Sequence, residues 1–455
     1  MGTTTMTTDL LLVRLRLACG HGVTGVKNAR FASALLALVL LAGAAGAHAR
    51  VGEEWFSAWS VSHGLRLTTP AVSGTTVRMI VRPTISGNQL RVKLENTMGM
   101  SPVAFSAAYV GVRGEGAAVL AGSNRQLSFG GNPGLTLAAG AGAYSDAIKF
   151  HVQAFRELAV SLEVVSAADI SAHQVGLTTN YIAAGARAAS ASADGFAPVP
   201  EFAPANSGNL PFYWVATVDV RSPSTTGAIV LFGDSITDGR CSTRDEQGIV
   251  QPNLYQRWGD VLAARIAALP ENQSKGISNQ GIAGNRILDR GNGPSALERI
   301  ERDVLERAGA THVVLFEGTN DITGSFTADQ VIAGTQEIIQ RVHDAGMKII
   351  GVTVIPRGRI GAGWSATLEQ HRLAVNAWMR SEAKFDGLID FDRLLEGPVL
   401  DGSPSIKPEF NCDFTHPNAA GYRAMGEFID LNLFHQSGGT AGSVPPFNLG
   451  GYFRE

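Results

Sequence analysis

Four short blocks carry residue types suited to nucleophilic chemistry at a carbonyl. They are Gly233-Asp234-Ser235, Gly281-Ile282-Ala283-Gly284-Asn285, Gly318-Thr319-Asn320-Asp321 and Asp413-Phe414-Thr415-His416-Pro417. A serine hydroxyl is a weak nucleophile until a base takes its proton, and His416 can be that base for Ser235. Asp413, three residues before the histidine, can accept the Nδ1–H, fix the tautomer and leave Nε2 facing the serine. Backbone N–H groups of Ser235 and Gly284, with the Asn320 amide, can hold a developing oxyanion. Asp321 is the poorer donor, because an ionised carboxylate repels such a charge. Each block alone also has a plain reading. Gly-Asp-Ser caps helices, Gly-Thr-Asn-Asp makes Asx turns, and Asp-x-x-His-Pro starts a helix with an incidental histidine. Together and in this order, the four are hard to obtain by chance.

The elements around these blocks fit that chemistry. Residues 228–232 and 312–316 are continuous apolar runs, as expected of strands buried on both faces. Ser235 and Asn320 follow them directly, at the carboxyl ends where open α/β sheets bind ligands. A short polar strand ends near Gln280. Residues 258–269, 297–308, 328–345, 366–384 and 418–434 read as helices, and 348–354 and 388–391 as strands. Strands alternating with helices predict a right-handed parallel α/β sheet. Earlier in the chain the pattern differs. Residues 76–81, 90–94, 107–112, 149–152 and 158–164 alternate apolar and polar positions between turn clusters. That predicts an antiparallel sandwich or jelly roll. Residues 183–210, rich in Ala, Ser, Pro and Gly, read as a linker or long surface crossing. Residues 212–220 read as a strand returning to the first domain.

Composition sets outer limits. The chain has 455 residues, enough for two domains and a processed segment. Its formal charge of −3 gives no reason to propose nucleic acid or an anionic membrane surface as a partner. Lys27 and Arg30 precede an apolar run over 31–41 and a small-residue stretch ending Ala47-His48-Ala49. This is the layout of a secretory signal, so residues 1–49 are expected to be removed and the protein to be secreted or periplasmic. The run is short for a spanning helix, which needs about 20 apolar residues. The long stretch before it suggests a true start near Val23 or Val26. Cleavage leaves Cys241 and Cys412. A fold that joins Ser235 to His416 joins these loops too, and an oxidising compartment favours a disulfide between them. Two unpaired thiols are the alternative.

No Cys-x-x-Cys, His-Glu-x-x-His or Walker-A pattern is present, so no metal or organic cofactor is expected. His312, His343 and His371 lie inside elements and read as structural.

The four blocks resemble the SGNH, or GDSL, hydrolase superfamily, whose name records the positions matched by Ser235, Gly284, Asn320 and His416. The resemblance covers about residues 227–435. It implies a flavodoxin-like sheet of about five parallel strands and ester hydrolysis through an acyl-enzyme. A narrower resemblance rests on Leu127-Ser128-Phe129-Gly130-Gly131, Tyr144-Ser145-Asp146 and Asn279 to Arg286. These are similar to secreted acylhydrolases associated with polysaccharide breakdown, which implies acetyl groups on carbohydrate as substrate. The expected organisation is a signal over 1–49, a β-rich domain and linker over 50–222, a hydrolase domain over 223–436 and an irregular tail over 437–455. A lipase or arylesterase acting on apolar esters is one alternative. A carbohydrate-binding protein with an inactive SGNH domain is the other.

Overall fold

The computed structural model describes residues 54–202, 208–270, 273–358 and 363–435. The expected signal and the tail lie outside the described residues. No helix among the described residues is long and apolar enough to cross a membrane.

The first part has a small three-stranded sheet, Leu65–Leu67, Ile170–His173 and Phe212–Tyr213, and two larger antiparallel sheets face to face. One has five strands and is built on Trp55–Ser60, Val215–Arg221 and Gly87–Glu95; the other has seven and centres on Thr75–Val81, Leu158–Ser166 and Val103–Val112. Inward residues of both sheets, including Leu90, Val92, Val77, Met79, Val110 and Val160, form one core. The alternation expected of an antiparallel sandwich is therefore real. The expected 212–220 strand is two strands broken at Trp214, whose φ is +54°: Phe212–Tyr213 pairs with Ile170–His173, and Val215–Arg221 pairs with both Trp55–Ser60 and Gly87–Glu95. Part of the 183–210 stretch is strand rather than linker. Tyr181–Ala184 and Phe196–Pro198 pair with each other and extend the seven-stranded sheet. Two Ala-rich strands of three or four residues give too little periodicity to detect in sequence.

The second part is a five-stranded parallel sheet. Its strands are Thr225–Gly233, Ser274–Gly281, Ala310–Phe316, Lys348–Val352 and Gly387–Ile389. Numbered in chain order their spatial order is 2-1-3-4-5, the flavodoxin-like arrangement. Along the first strand Ile229 and Leu231 face one helical layer while Val230 and Phe232 face the other. Helices cover both faces, which is why this strand carries no polar alternation.

Three elements differ from the sequence expectation. The 297–308 helix is Ala296–Ile300 followed by a wide π turn over Glu301–Leu305, within which Arg302 bonds Asp303. The 388–391 strand stops at Ile389, because Asp390 caps the short helix Phe391–Leu395. The last helix ends at Phe428, where Ile429 turns extended and Arg265 Nη1 takes the Gly426 and Ile429 carbonyls. A short hairpin, Glu396–Leu400 with Ser403–Ile406, was not foreseen.

The described residues form one compact unit. The sandwich strand Trp55–Ser60 covers the outer edge of the parallel sheet. Ser60 Oγ meets Ser278 Oγ at 2.6 Å, and Thr84 Oγ1 accepts from Ile277 N at 2.9 Å. An added Cβ at Gly276 would lie 2.2 Å from the Ser57 carbonyl. Covering an edge strand removes a template for unwanted pairing.

Candidate active site

Ser235 sits at the end of Thr225–Gly233, as the first residue of the short helix Ser235–Asp238. Asp234 caps that helix by accepting from Ile236 N at 2.8 Å. Gly281 allows the neighbouring strand to end against it, since a Cβ there would lie 2.3 Å from the Asp238 nitrogen.

Ser235 Oγ lies 2.8 Å from His416 Nε2. His416 Nδ1 lies 2.9 and 3.1 Å from the two Asp413 oxygens. Asp413 also accepts the backbone N–H groups of Thr415 and His416, so the loop is folded around its carboxylate. Burial would raise the Asp413 carboxyl, but the hydrogen bond from His416 and the imidazole's charge outweigh it and hold it well below the usual range. Burial lowers His416 below its ordinary value, against the pull of Asp413, and the nearby Arg240 and Arg357 guanidinium groups add to the lowering. The imidazole is therefore neutral near pH 7, the state a base requires.

Gly284 and Asn320 come together at this end of the sheet. Gly284 has φ +77°, a conformation that favours glycine. Asn320 Nδ2 donates to the carbonyl of Asn285 at 2.9 Å and approaches Asp234 Oδ2 at 3.4 Å. The amide is thus held in place with one hydrogen only weakly engaged. The backbone N–H groups of Ser235 and Gly284 have no acceptor among the described residues. Three donors are available for an oxyanion.

Cys241 and Cys412 are joined in a disulfide, with Cα atoms 6.4 Å apart. It ties the loop after Ser235 to the residue before Asp413. Cys241 and Phe414 both have positive φ, 71° and 64°, so backbone strain gathers at this junction. Cys241, Cys412 and Asp413 form the one cluster of metal-ligand type among the described residues. A disulfide offers no thiolate, so the cluster does not suit a metal.

Several residues support the site in ways that the sequence did not disclose. Asp321 turns its carboxylate away from Asn320 and accepts from Ile287 N and Leu288 N at 2.9–3.0 Å. Asp238 Oδ2 accepts from Ala283 N at 3.0 Å, next to Gly284. His173, from the sandwich, meets Asp238 Oδ1 at 3.0 Å. Burial alone would lower His173, but the Asp238 carboxylate outweighs it and raises the imidazole. Arg299, fully buried, donates to Asn285 Oδ1 and to the carbonyls of Gly233 and Gln280. The signal for Asp238 was its place three residues after Ser235. His173 carried none, because its partner is 65 residues away in sequence.

The motifs Leu127–Gly131 and Tyr144–Asp146 meet each other. Asp146 accepts from Ser128 Oγ at 2.6 Å and from the Gly130 and Gly131 N–H groups. Those bonds all lie within the sandwich.

Residues 231–424 match the family of GDSL-like lipases and acylhydrolases. Similar solved structures include a GDSL-like lipase from Bacteroides thetaiotaomicron, with 18% identity, 46% of this chain and 88% of that one covered, and a TM-score of 0.35. A carbohydrate acetylesterase from Sinorhizobium meliloti gives 16% identity, 44% and 94% coverage, and a TM-score of 0.36. An acetylxylan esterase from Geobacillus stearothermophilus gives 17% identity, 47% and 96% coverage, and a TM-score of 0.34. No curated protein sequence matches. The parallel-sheet part is a GDSL-like, or SGNH, hydrolase domain. The chain that carries it is an ester hydrolase.

Proposed function

We propose that this ester hydrolase works through a serine acyl-enzyme, with Ser235 as nucleophile, His416 as base and Asp413 as its orienting carboxylate. The observation that carries this reading is the hydrogen-bonded chain Ser235–His416–Asp413, at 2.8 and 2.9 Å. Ser235 Oγ attacks the ester carbonyl while His416 Nε2 takes its proton. The carbonyl oxygen becomes an oxyanion facing the Ser235 and Gly284 N–H groups and Asn320 Nδ2. His416 then gives its proton to the leaving alcohol. Water, activated by the same imidazole, releases the acid.

Short acyl groups, such as acetyl on a carbohydrate, are the substrate we favour. The support is the resemblance of the 279–286 segment and the sandwich motifs to polysaccharide-associated acylhydrolases. We further propose export to a secreted or periplasmic location, supported by the signal-like layout of residues 1–49 and by the disulfide.

The test is hydrolysis of 4-nitrophenyl acetate, butyrate and octanoate by the wild type and Ser235→Ala. Loss of about 10⁴-fold or more in the variant is expected, with acetate the best substrate. Equal rates in both proteins would sink the serine mechanism. Preference for octanoate would move the substrate to lipid-like esters.

A further inference from the structure

We propose that the ester this site takes carries a second, anionic group, carboxylate or phosphate, which Arg240 and Arg357 hold beside the reacting carbonyl. The proposal rests on the reading of Ser235 above and adds a substrate class to it.

Two arginines border the site. Arg357 lies past the carboxyl end of Lys348–Val352. Its Nη1 donates to Thr319 Oγ1 at 3.1 Å, so it adjoins the residue before Asn320. Its guanidinium lies over the Trp364 ring, 5.2 Å from the centroid. The Arg240 backbone is fixed next to Ser235. Its N–H donates to the Ser235 carbonyl at 2.9 Å, its own carbonyl accepts from Tyr422 Oη at 2.7 Å, and the next residue is the disulfide-bonded Cys241. The backbone bond of Arg240 to Ser235 and the side-chain bond of Arg357 to Thr319 place both residues at the site, and both charges lower His416.

Neither arginine has a carboxylate within ion-pair distance among the described residues. Arg91, Arg113 and Arg372 are paired with Asp219, with Glu157, and with Glu369 and Asp392, while Arg78 and Arg265, which have no carboxylate, each give their N–H groups to several protein oxygens; Arg357 has the single bond to Thr319. A desolvated cation without a partner is unfavourable, and proteins normally pair it. Burial lowers Arg357 even though Asp234 and Asp413 act on it from a distance. Apart from the bond to Thr319, the Arg357 nitrogens are not sealed from solvent, and neither are those of Arg240. The missing partner can therefore arrive with the substrate. A guanidinium fork matches the paired oxygens of carboxylate and phosphate. Thr319 and Trp364 hold the Arg357 fork in one orientation.

The experiment compares charged and neutral esters of equal shape at one pH. The pairs are 4-acetoxybenzoate with its methyl ester, and 4-nitrophenyl hydrogen adipate with 4-nitrophenyl hexanoate. They place the charge on the leaving group or on the acyl group. The expected result is a kcat/KM preference of about tenfold for the anionic member of one pair. Arg357→Gln and Arg240→Gln should each shrink that preference. The ratio within a pair is insensitive to any change the substitutions make to His416. Ratios near one in both pairs, or ratios that neither substitution changes, would overturn the proposal. So would an equal loss on charged and neutral esters in both variants, since Arg357 would then be a counterion for Asp234 and Asp413 and Arg240 would have no part in recognising the anion. Calorimetric binding of benzoate, phenyl phosphate and benzamide to the wild type needs no variant and no turnover. Binding of an anion but not of benzamide is expected, and the tighter anion identifies the group. Equal binding of all three would overturn the proposal. If the serine mechanism were wrong, Ser235→Ala would still turn over esters while anion binding stood. If only the anion site were wrong, neutral esters would still need Ser235.

Discussion

At the scale of single residues, the proposed mechanism depends on a neutral imidazole in a charged setting. His416 faces Asp413 on its Nδ1 side, with Arg240 and Arg357 acting from the flanks. Burial dominates and lowers its pKa below 6.5. The base must be unprotonated, so activity is lost as pH falls through the folded-state pKa. The acid limb of kcat/KM is thus expected below 6.5. Arg357→Gln removes one cation and should move the limb upward. A limb above 6.5, or a downward move in the variant, would contradict this assignment of causes. Asp413→Asn should leave the loop folded, since an amide oxygen still accepts the Thr415 and His416 N–H groups. It should cost about 10⁴-fold in kcat by favouring the wrong tautomer.

At the scale of elements, the residues proposed to do chemistry could be picked out in the sequence and those that hold them could not. Ser235, Asn320 and His416 follow strands or precede a helix, and apolar runs announce such elements. The strands 228–232 and 312–316 were visible because burial on both faces leaves an unbroken apolar signature. Tyr181–Ala184 and Phe196–Pro198 were hidden by their shortness. The break after Phe428 was hidden because Arg265, far away in sequence, takes the carbonyls there. The brace on the Gly284 loop was hidden for the same reason. It runs from His173 in the sandwich to Asp238 and on to the Ala283 N–H. Removing one partner of a buried charged pair strands the other, at a cost of about 3–5 kcal/mol. His173→Ala should therefore lower thermal stability and also reduce kcat, with KM little changed, because the displaced Gly284 N–H is the one proposed to serve the transition state. His173→Gln, which can still donate to Asp238, should recover part of kcat. A loss of stability with unchanged kcat would show that the brace does not position the loop. The disulfide adds a covalent tie on the opposite side of Ser235. Non-reducing peptide mapping should recover Cys241 and Cys412 in one linked species, and alkylatable thiols at both would refute it.

At the scale of the whole molecule, the sandwich and the α/β sheet share buried bonds that neither could satisfy alone. Ser62 Oγ is within 2.8 Å of Asp303 Oδ2 and also bonds Gln280. Arg302 donates to the His63 carbonyl, Arg307 to Thr217, and Ala308 accepts from Ser57 N at 2.9 Å. Separating the parts would expose the edge strand Ser274–Gly281 and leave Asp303 and Arg299 without a cover. The two parts should then unfold together. Gly276 gives a local handle on this coupling, because an added Cβ has the Ser57 carbonyl at 2.2 Å and the Ile85 side chain at 3.2 Å. A backbone oxygen cannot rotate aside, so Gly276→Ala must shift the sandwich strand, at about 1–3 kcal/mol by the usual cost of overpacking. Calorimetry of the wild type should show one cooperative transition, and the variant should move the whole of it to lower temperature. Two transitions, with only one displaced by the substitution, would mean that the parts fold independently and that the sandwich merely lies against the hydrolase sheet. A single displaced transition together with reduced kcat would tie the sandwich to catalysis through the strand that ends at Gly281, beside the helix that carries Ser235.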